Sequence, residues 1–229
     1  MSKPKWKIRT LSLLLLAVIL ADGALTGAAF AVAQHAAYPE RVGRAYAGNQ
    51  LEIPAVRQVA AFVPEQHDSS VPQVALTFDD GPHQTCTPKL LDGLKQRGIK
   101  ATFFLMGENI AGKEELVQRM QEEGHLIGNH SYRHIQMTKE GAEQACAEIE
   151  QTEQLIQSIT GKRPEYLRPP YGAWNEQLEC RVNLTTVLWN VDSLDWKFQN
   201  TRRIVRRVEK DVKDGDIILM HDIFPTSVE

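Results

Sequence analysis

The sequence predicts an α/β protein whose parallel sheet curls into a distorted (β/α) barrel. Two observations predict it. From Gln73 onward, short apolar runs rich in β-branched and aromatic residues alternate with amphipathic helical patterns about six times, as strand–helix–strand crossovers require. Asp79, Asp80, His130, Arg168, Asp192 and His221 fall at the carboxyl ends of those runs. A barrel gathers such ends around one mouth, whereas an open sheet spreads them along an edge.

The elements follow in order. "VALTF" reads as a strand that stops at Asp79, Asp80 and Gly81. "TPKLLDGLKQRG" reads as a helix with Thr87 as cap, Pro88 at its first position, an apolar face of Leu90, Leu91 and Leu94, and Gly98 as its stop. Strand "IKATFFLMG", helix "KEELVQRMQEEG" and strand "HLIGNH" come next, then the long helix "KEGAEQACAEIEQTEQLIQSITG" and strand "EYLRPP". A short helix near "NEQLECRV", a strand "TTVLWNVD", the amphipathic helix "TRRIVRRVEKDVKDG" and a strand "DIILMHD" complete the alternation. The arginine-rich face of that last helix reads as a solvated surface.

Ahead of this domain lie two other segments. Residues 1–33 begin with Lys3, Lys5, Lys7 and Arg9 and continue as the apolar run Leu11 to Ala33. A basic start followed by such a run is a signal peptide or a membrane anchor. The run is long enough to span a bilayer, for which about 20 residues are needed. Asp22 costs roughly 2.5–3.5 kcal/mol on insertion, tolerable among so many leucines. The expectation is a retained single-pass anchor, with cleavage after the small residues of "AFAVAQ" as the alternative. Either way the remainder lies outside the cytoplasm, membrane-anchored or secreted. Residues 34–72, with Pro39, Pro54, Pro64 and Pro72, read as a linker holding at most one strand at "VRQVAAFV", and 73–229 as the folded domain.

The formal charge of −3 becomes more negative without the basic leader, which argues against nucleic acid as a partner. Cys86, Cys146 and Cys180 show no CxxC spacing and read as buried thiols, at least one of them unpaired in a monomer.

Candidate chemistry begins at "HSYRH". Its two histidines are four apart, the spacing at which a helix turns both imidazoles the same way. With a carboxylate from "LTFDDGP" they make a three-ligand set that leaves positions open for water, the pattern of a catalytic divalent metal site with Zn2+ as default. Taken alone, the two aspartates equally suit a turn cap before Gly81.

"TFDDGP", "HSYRH", "RPPYG", "DSLDW" and "ILMHD", in that order from Val74 to the end, resemble the five signature motifs of the polysaccharide deacetylases. These are the NodB-homology enzymes of carbohydrate esterase family 4, whose fold is a distorted (β/α) barrel. The resemblance implies a metal set of Asp80, His130 and His134, for Zn2+ or another divalent ion such as Co2+. It implies Asp79 as general base and Arg168 as its partner, expected as a bidentate clamp. His221 is implied as the general acid that protonates the departing amine, oriented by Asp195. The Tyr171 backbone N–H is implied at the oxyanion, and Trp196 and Leu219 as walls for the acetyl methyl. Asn129 and Ser131 are expected to steer His130, and His35, His67, His83 and His125 have no role in the scheme.

Two departures stand out. Ile135 occupies a position where the family usually has proline. Family members also continue past the His-Asp motif with another helix and strand, whereas this chain ends at "IFPTSVE", so the expected barrel lacks those closing elements.

The implied activity is removal of N-acetyl groups from N-acetylglucosamine units of a cell-wall polysaccharide, peptidoglycan first. Chitin oligomers, poly-N-acetylglucosamine or O-acetyl xylan are alternatives, as is an inactive, truncated wall-binding module.

Overall fold

The computed structural model describes residues 72–174 and 184–229. The leader, most of the linker with its expected strand, the short helix near "NEQLECRV" and Cys180 lie outside them. No helix among the described residues is long and apolar enough to cross a membrane.

Among the described residues, seven strands form one all-parallel sheet. In chain order they are β1 (Ala75–Asp79), β2 (Thr102–Leu105), β3 (Leu126–Asn129), β4 (Tyr166–Leu167), β5 (Thr185–Thr186), β6 (Val191–Asp192) and β7 (Ile217–His221). The helices are α1 (Cys86–Gln96), α2 (Gly107–Ile110), α3 (Glu114–Glu122), α4 (Ala142–Thr160), α5 (Asp195–Phe198) and α6 (Thr201–Asp211). Across the sheet the order is β5-β4-β3-β2-β1-β7-β6, so β5 and β6 occupy its two ends.

That order forces the sheet to curl. In a flat sheet, strands about 4.8 Å apart would hold the two outermost ones nearly 30 Å from each other. Yet β5 ends at Thr186 and β6 begins at Val191, a stretch that reaches at most about 18 Å when fully extended. The edges must therefore approach. Expected as one strand, "TTVLWNVD" is instead split: it pairs first with β4 and then with β7, so the chain itself bridges the two edges of a half-barrel.

Period-two alternation sorts the side chains. Leu76, Phe78, Phe103, Leu105, Ile127 and Met220 face outward into a core shared with Leu90, Leu91 and Leu94 of α1, Val117 and Met120 of α3, and Ile156 of α4. Each large apolar side chain fully buried there contributes roughly 1.5–3 kcal/mol. Thr77 and Asp79 of β1 alternate to the inner face, in register with Leu219 and His221 of β7. A second cluster of Met137, Ala145, Ile149 and Leu167 underlies the site, and Ile135 packs against it in place of the family's proline.

Helix ends follow local chemistry with one correction. Gly98 closes α1 at φ 63°, a left-handed conformation that costs glycine nothing sterically. The start of α1 is not capped by Thr87. His83 Nδ1 accepts from the Thr85 and Cys86 N–H groups at 3.3 and 3.2 Å, so the helix begins two residues earlier, at Cys86. Thr87 is buried, and its hydroxyl donates to Asp222. His83, given no role by the resemblance, is thus half-buried at a helix start.

Cys86 is a buried free thiol, as expected. Cys146 is disulfide-bonded, which corrects its reading as a thiol and suits a chain expected outside the reducing cytoplasm.

Candidate active site

The strand registers assemble the site. Asp79 pairs with His221 across β1 and β7, and with Phe104 across β1 and β2. Asn129 pairs with Leu167, so the residues that follow, His130 and Arg168, leave their strands side by side. Four groups from four strands thereby stand on one rim.

Asp80, His130 and His134 offer ligand atoms that all lie within 4.8 Å of one another. Asp80 Oδ1 is 3.4 Å from His130 Nε2 and 3.5 Å from His134 Nε2, and it is buried without a hydrogen-bond partner. His130 Nδ1 donates to the Arg168 carbonyl at 2.6 Å, which fixes the tautomer and leaves Nε2 with a free lone pair. A buried orphan carboxylate oxygen beside two imidazoles fits a divalent cation. The two histidines do not share a helix as their spacing suggested. β3 stops at Asn129, and the following loop turns back through Ser131 at φ 64° and His134 at φ 57°.

Burial works against the charged form of Asp80, yet His130, His134 and His221 around it hold its pKa below the usual carboxylate value. Burial, reinforced by His130, lowers the pKa of His134, which favours the neutral imidazole a cation requires.

Asp79 is buried, and its Oδ1 accepts from Arg168 Nη1 at 2.7 Å. Arg168 is fully buried inside the curl, stacked 4.2 Å from the Phe104 ring centre. The expected bidentate clamp does not form. Nη1 also donates to Thr77 Oγ1 at 2.7 Å, while Nε and Nη2 donate to the Val187 and Leu188 carbonyls at 3.2 Å. Those carbonyls belong to the bridging segment between β5 and β6, whose backbone needs donors inside the curl. Asp79 Oδ2 stays free, 3.7 Å from His130 Nε2.

On the other flank, His221 Nδ1 meets Asp195 Oδ1 at 2.7 Å, and its Nε2 lies 4.0 Å from Asp80 Oδ2. Asp195 is fully buried, and its Oδ2 accepts from the His221 N–H and the Ser227 hydroxyl, each at 2.7 Å. Burial pushes the His221 pKa down, but Asp195, with Asp79 and Asp80 beyond it, holds the value above that of an ordinary histidine. Asp195 is correspondingly lowered despite its burial.

Tyr171 is 66 % exposed at φ 61°, its ring 4.6 Å from that of His134. The turn around it uses the Gly172 and Ala173 N–H groups, leaving the Tyr171 N–H outside both bonds. Trp196 stands half-exposed beside Asp195, and Leu219 is buried two residues before His221, on the same face of β7. Asp192 does not join the site. Its carboxylate accepts from the Leu194 N–H and shapes the turn into α5. Ser131 steers His134 rather than His130, because its hydroxyl accepts from the His134 N–H at 3.0 Å.

The sequence profile of the polysaccharide deacetylases matches residues 66–186, more than half of the chain. The chain belongs to the polysaccharide deacetylase family. It is 42% identical over 155 residues to the peptidoglycan-N-acetylglucosamine deacetylase PgdA of Listeria monocytogenes, a match covering 68% of this chain and 33% of that protein. It is 41% identical over 165 residues to the peptidoglycan-N-acetylmuramic acid deacetylase PdaC of Bacillus subtilis, covering 72% and 35%. The chain thus spans about a third of the length of these curated relatives. The PdaC structure superposes with a TM-score of 0.67 at 41% identity, over 69% of this chain and 78% of that one. A family 4 carbohydrate esterase from Streptomyces lividans, in complex with acetate, gives 0.64 at 41%, over 69% and 82%.

Sequence reasoning missed three residues of this deacetylase-family site. Asn109 Nδ2 donates to the Asp80 carbonyl at 2.7 Å. Ser227 completes the donors around Asp195. Glu148, on α4, accepts from the backbone of the histidine loop. Only Glu148 left a signal: it is an acid on the buried stripe formed with Ala145, Ile149, Thr152 and Ile156. Asn109 and Ser227 are ordinary loop and turn polars by sequence.

Proposed function

We propose that this chain is a metal-dependent deacetylase that removes N-acetyl groups from N-acetylglucosamine units of peptidoglycan. One observation carries the reading: the Asp80, His130 and His134 cluster is flanked by two separate carboxylate pairs, Asp79 with Arg168 and His221 with Asp195. The names of PgdA and PdaC supply the substrate class.

A divalent ion held by Asp80, His130 and His134, with Zn2+ first, would supply Lewis acidity toward an amide carbonyl and toward water. Asp79 Oδ2, free of Arg168, takes the proton of the attacking water. Arg168 and Thr77 fix the carboxylate's direction. His221, protonated and oriented by Asp195, hands its proton to the amide nitrogen as the carbon–nitrogen bond breaks, giving acetate and a free amine. The Tyr171 N–H serves the oxyanion, a donor whose loss typically costs about 100-fold or more in rate. Trp196 and Leu219 bound the methyl pocket.

In this reading residues 73–229 act as the catalytic domain, 34–72 as a spacer, and 1–33 as the leader or anchor that places the chain against an extracytoplasmic wall.

The test is acetate release from purified peptidoglycan by the full chain, with amine detection alongside. Expected are matched acetate and amine yields, abolished by chelation, restored by Zn2+ or Co2+, and reduced about 100-fold or more in Asp79→Asn. Acetate release that survives metal stripping would overturn the mechanism, and acetate without amine would point to an O-acetyl substrate.

A further inference from the structure

We propose that Glu148 is a positioning residue of the cation site: it locks the loop between the two histidines and thereby sets metal affinity. The inference rests on the metal reading above and concerns a residue outside the ligand and proton-transfer set.

The loop of Ser131, Tyr132 and Arg133 is gripped from two sides. Its carbonyls face α2, where the Gly107 and Glu108 N–H groups donate to Ser131 O and Tyr132 O, each at 3.0 Å. Its N–H groups are taken up by side chains. Asn129 Oδ1 accepts from Ser131 at 2.9 Å, and Glu148 Oε2 accepts from Tyr132 at 3.1 Å and from Arg133 at 2.7 Å. The other carboxylate oxygen, Oε1, takes Arg133 Nε at 2.7 Å and Nη2 at 2.6 Å. One carboxylate therefore holds four donors of a single residue pair inside the ligand loop.

A purely structural role explains this poorly. Glu148 sits on the buried face of α4, its side chain 4% exposed, where an apolar residue would pack without any cost of desolvating a charge. Arg133 is 57% exposed and needs no buried partner for its own sake. What demands the acid is the loop. Ser131 and His134 both adopt left-handed backbone, which non-glycine residues keep only where surrounding contacts over-determine it. Release of Tyr132 and Arg133 frees the segment that sets the 5.0 Å separation of the two imidazole rings. The cation then has to organise its own ligands, and affinity falls.

The full chain is stripped of metal, and Zn2+ affinity is read by competition with a chromophoric chelator, beside a thermal melt of the stripped protein. Glu148→Gln keeps size, but whichever way it is turned its amide N–H2 faces donors, either the backbone N–H groups or the Arg133 guanidinium. Arg133→Ala removes only the exposed half of the clamp. Expected are a cooperative melt for both, Zn2+ binding about 10- to 100-fold weaker in E148Q, a smaller loss in R133A, and turnover regained at concentrations that fill the site. A folded E148Q with wild-type affinity overturns the proposal whatever its turnover. If E148Q does not melt cooperatively, R133A decides: weaker binding supports the proposal and unchanged binding overturns it. A wild-type chain that binds no Zn2+ overturns the metal reading itself, an outcome distinct from wild-type binding that E148Q leaves intact.

Discussion

Asp222 shows how a single carboxyl group links burial to pH. It follows His221, is completely buried, accepts from the Thr87 hydroxyl, and leaves Oδ1 without a partner. Burial, reinforced by the charges of Asp80 and Asp79, pushes its pKa up from 3.8 to about 7. The folded state therefore holds a proton that the unfolded state releases across that interval, and stability falls as pH rises through it. Asp222→Asn carries no such proton. Unfolding free energies of chelated protein from denaturant titrations at steps between pH 4 and 8 are expected to fall in the wild type relative to Asp222→Asn, by an amount on the order of a few kcal/mol. Parallel profiles would mean that Asp222 is already ionised when buried. At the same scale, five of the six left-handed non-glycine residues among those described, Asp80, Ser131, His134, Tyr171 and Leu194, belong to the site or its flanking turns, and the sixth, Gln199, ends α5. Each costs roughly 1–3 kcal/mol and persists because neighbours fix it.

Among the elements, β3 shows how tightly the strands under the site are packed. A Cβ on Gly128 would lie 2.5 Å from Phe104 Cδ1 and 3.2 Å from the Tyr166 carbonyl. Phe104 in turn carries the Arg168 guanidinium on its face. Gly128→Ala is therefore expected to destabilise by about 1–3 kcal/mol through overpacking, seen as a lower urea midpoint. Turnover should fall with it, because Arg168 must shift with the ring. A variant with wild-type midpoint would show that Phe104 yields freely. α1, α3, α4 and α6 and strands β1, β2, β3 and β7 stand where their apolar periodicity predicted, since each is long enough for a pattern to repeat. "TTVLWNVD" was not divisible by pattern, because its apolar run Val187, Leu188 and Trp189 covers the stretch where its hydrogen-bonding partner changes from β4 to β7.

For the whole molecule, a cation held as proposed would couple distant chain segments. Asp80 follows β1 and the histidines follow β3, so an ion bound by all three ties these segments together in the folded state alone. Ligand that binds only the native state stabilises it by mass action, about 2.7 kcal/mol at a hundred times Kd. Added Zn2+ is expected to raise the melting temperature of stripped wild-type protein and to leave that of Asp80→Asn nearly unchanged. An equal rise in both would place the stabilising ion elsewhere.

The sequence by itself determined which chemical groups are present and at which strand ends they fall. Residue type and apolar periodicity are local properties, and the order of the five motifs carries the family. Only the tertiary structure decided how those groups are held: that Arg168 shares its donors with the bridging segment, that Ser131 serves His134, and that Glu148 closes the loop from a helix. Such partnerships join residues far apart in the chain, and they form where the curl brings two buried polar surfaces together that cannot be left unpaired.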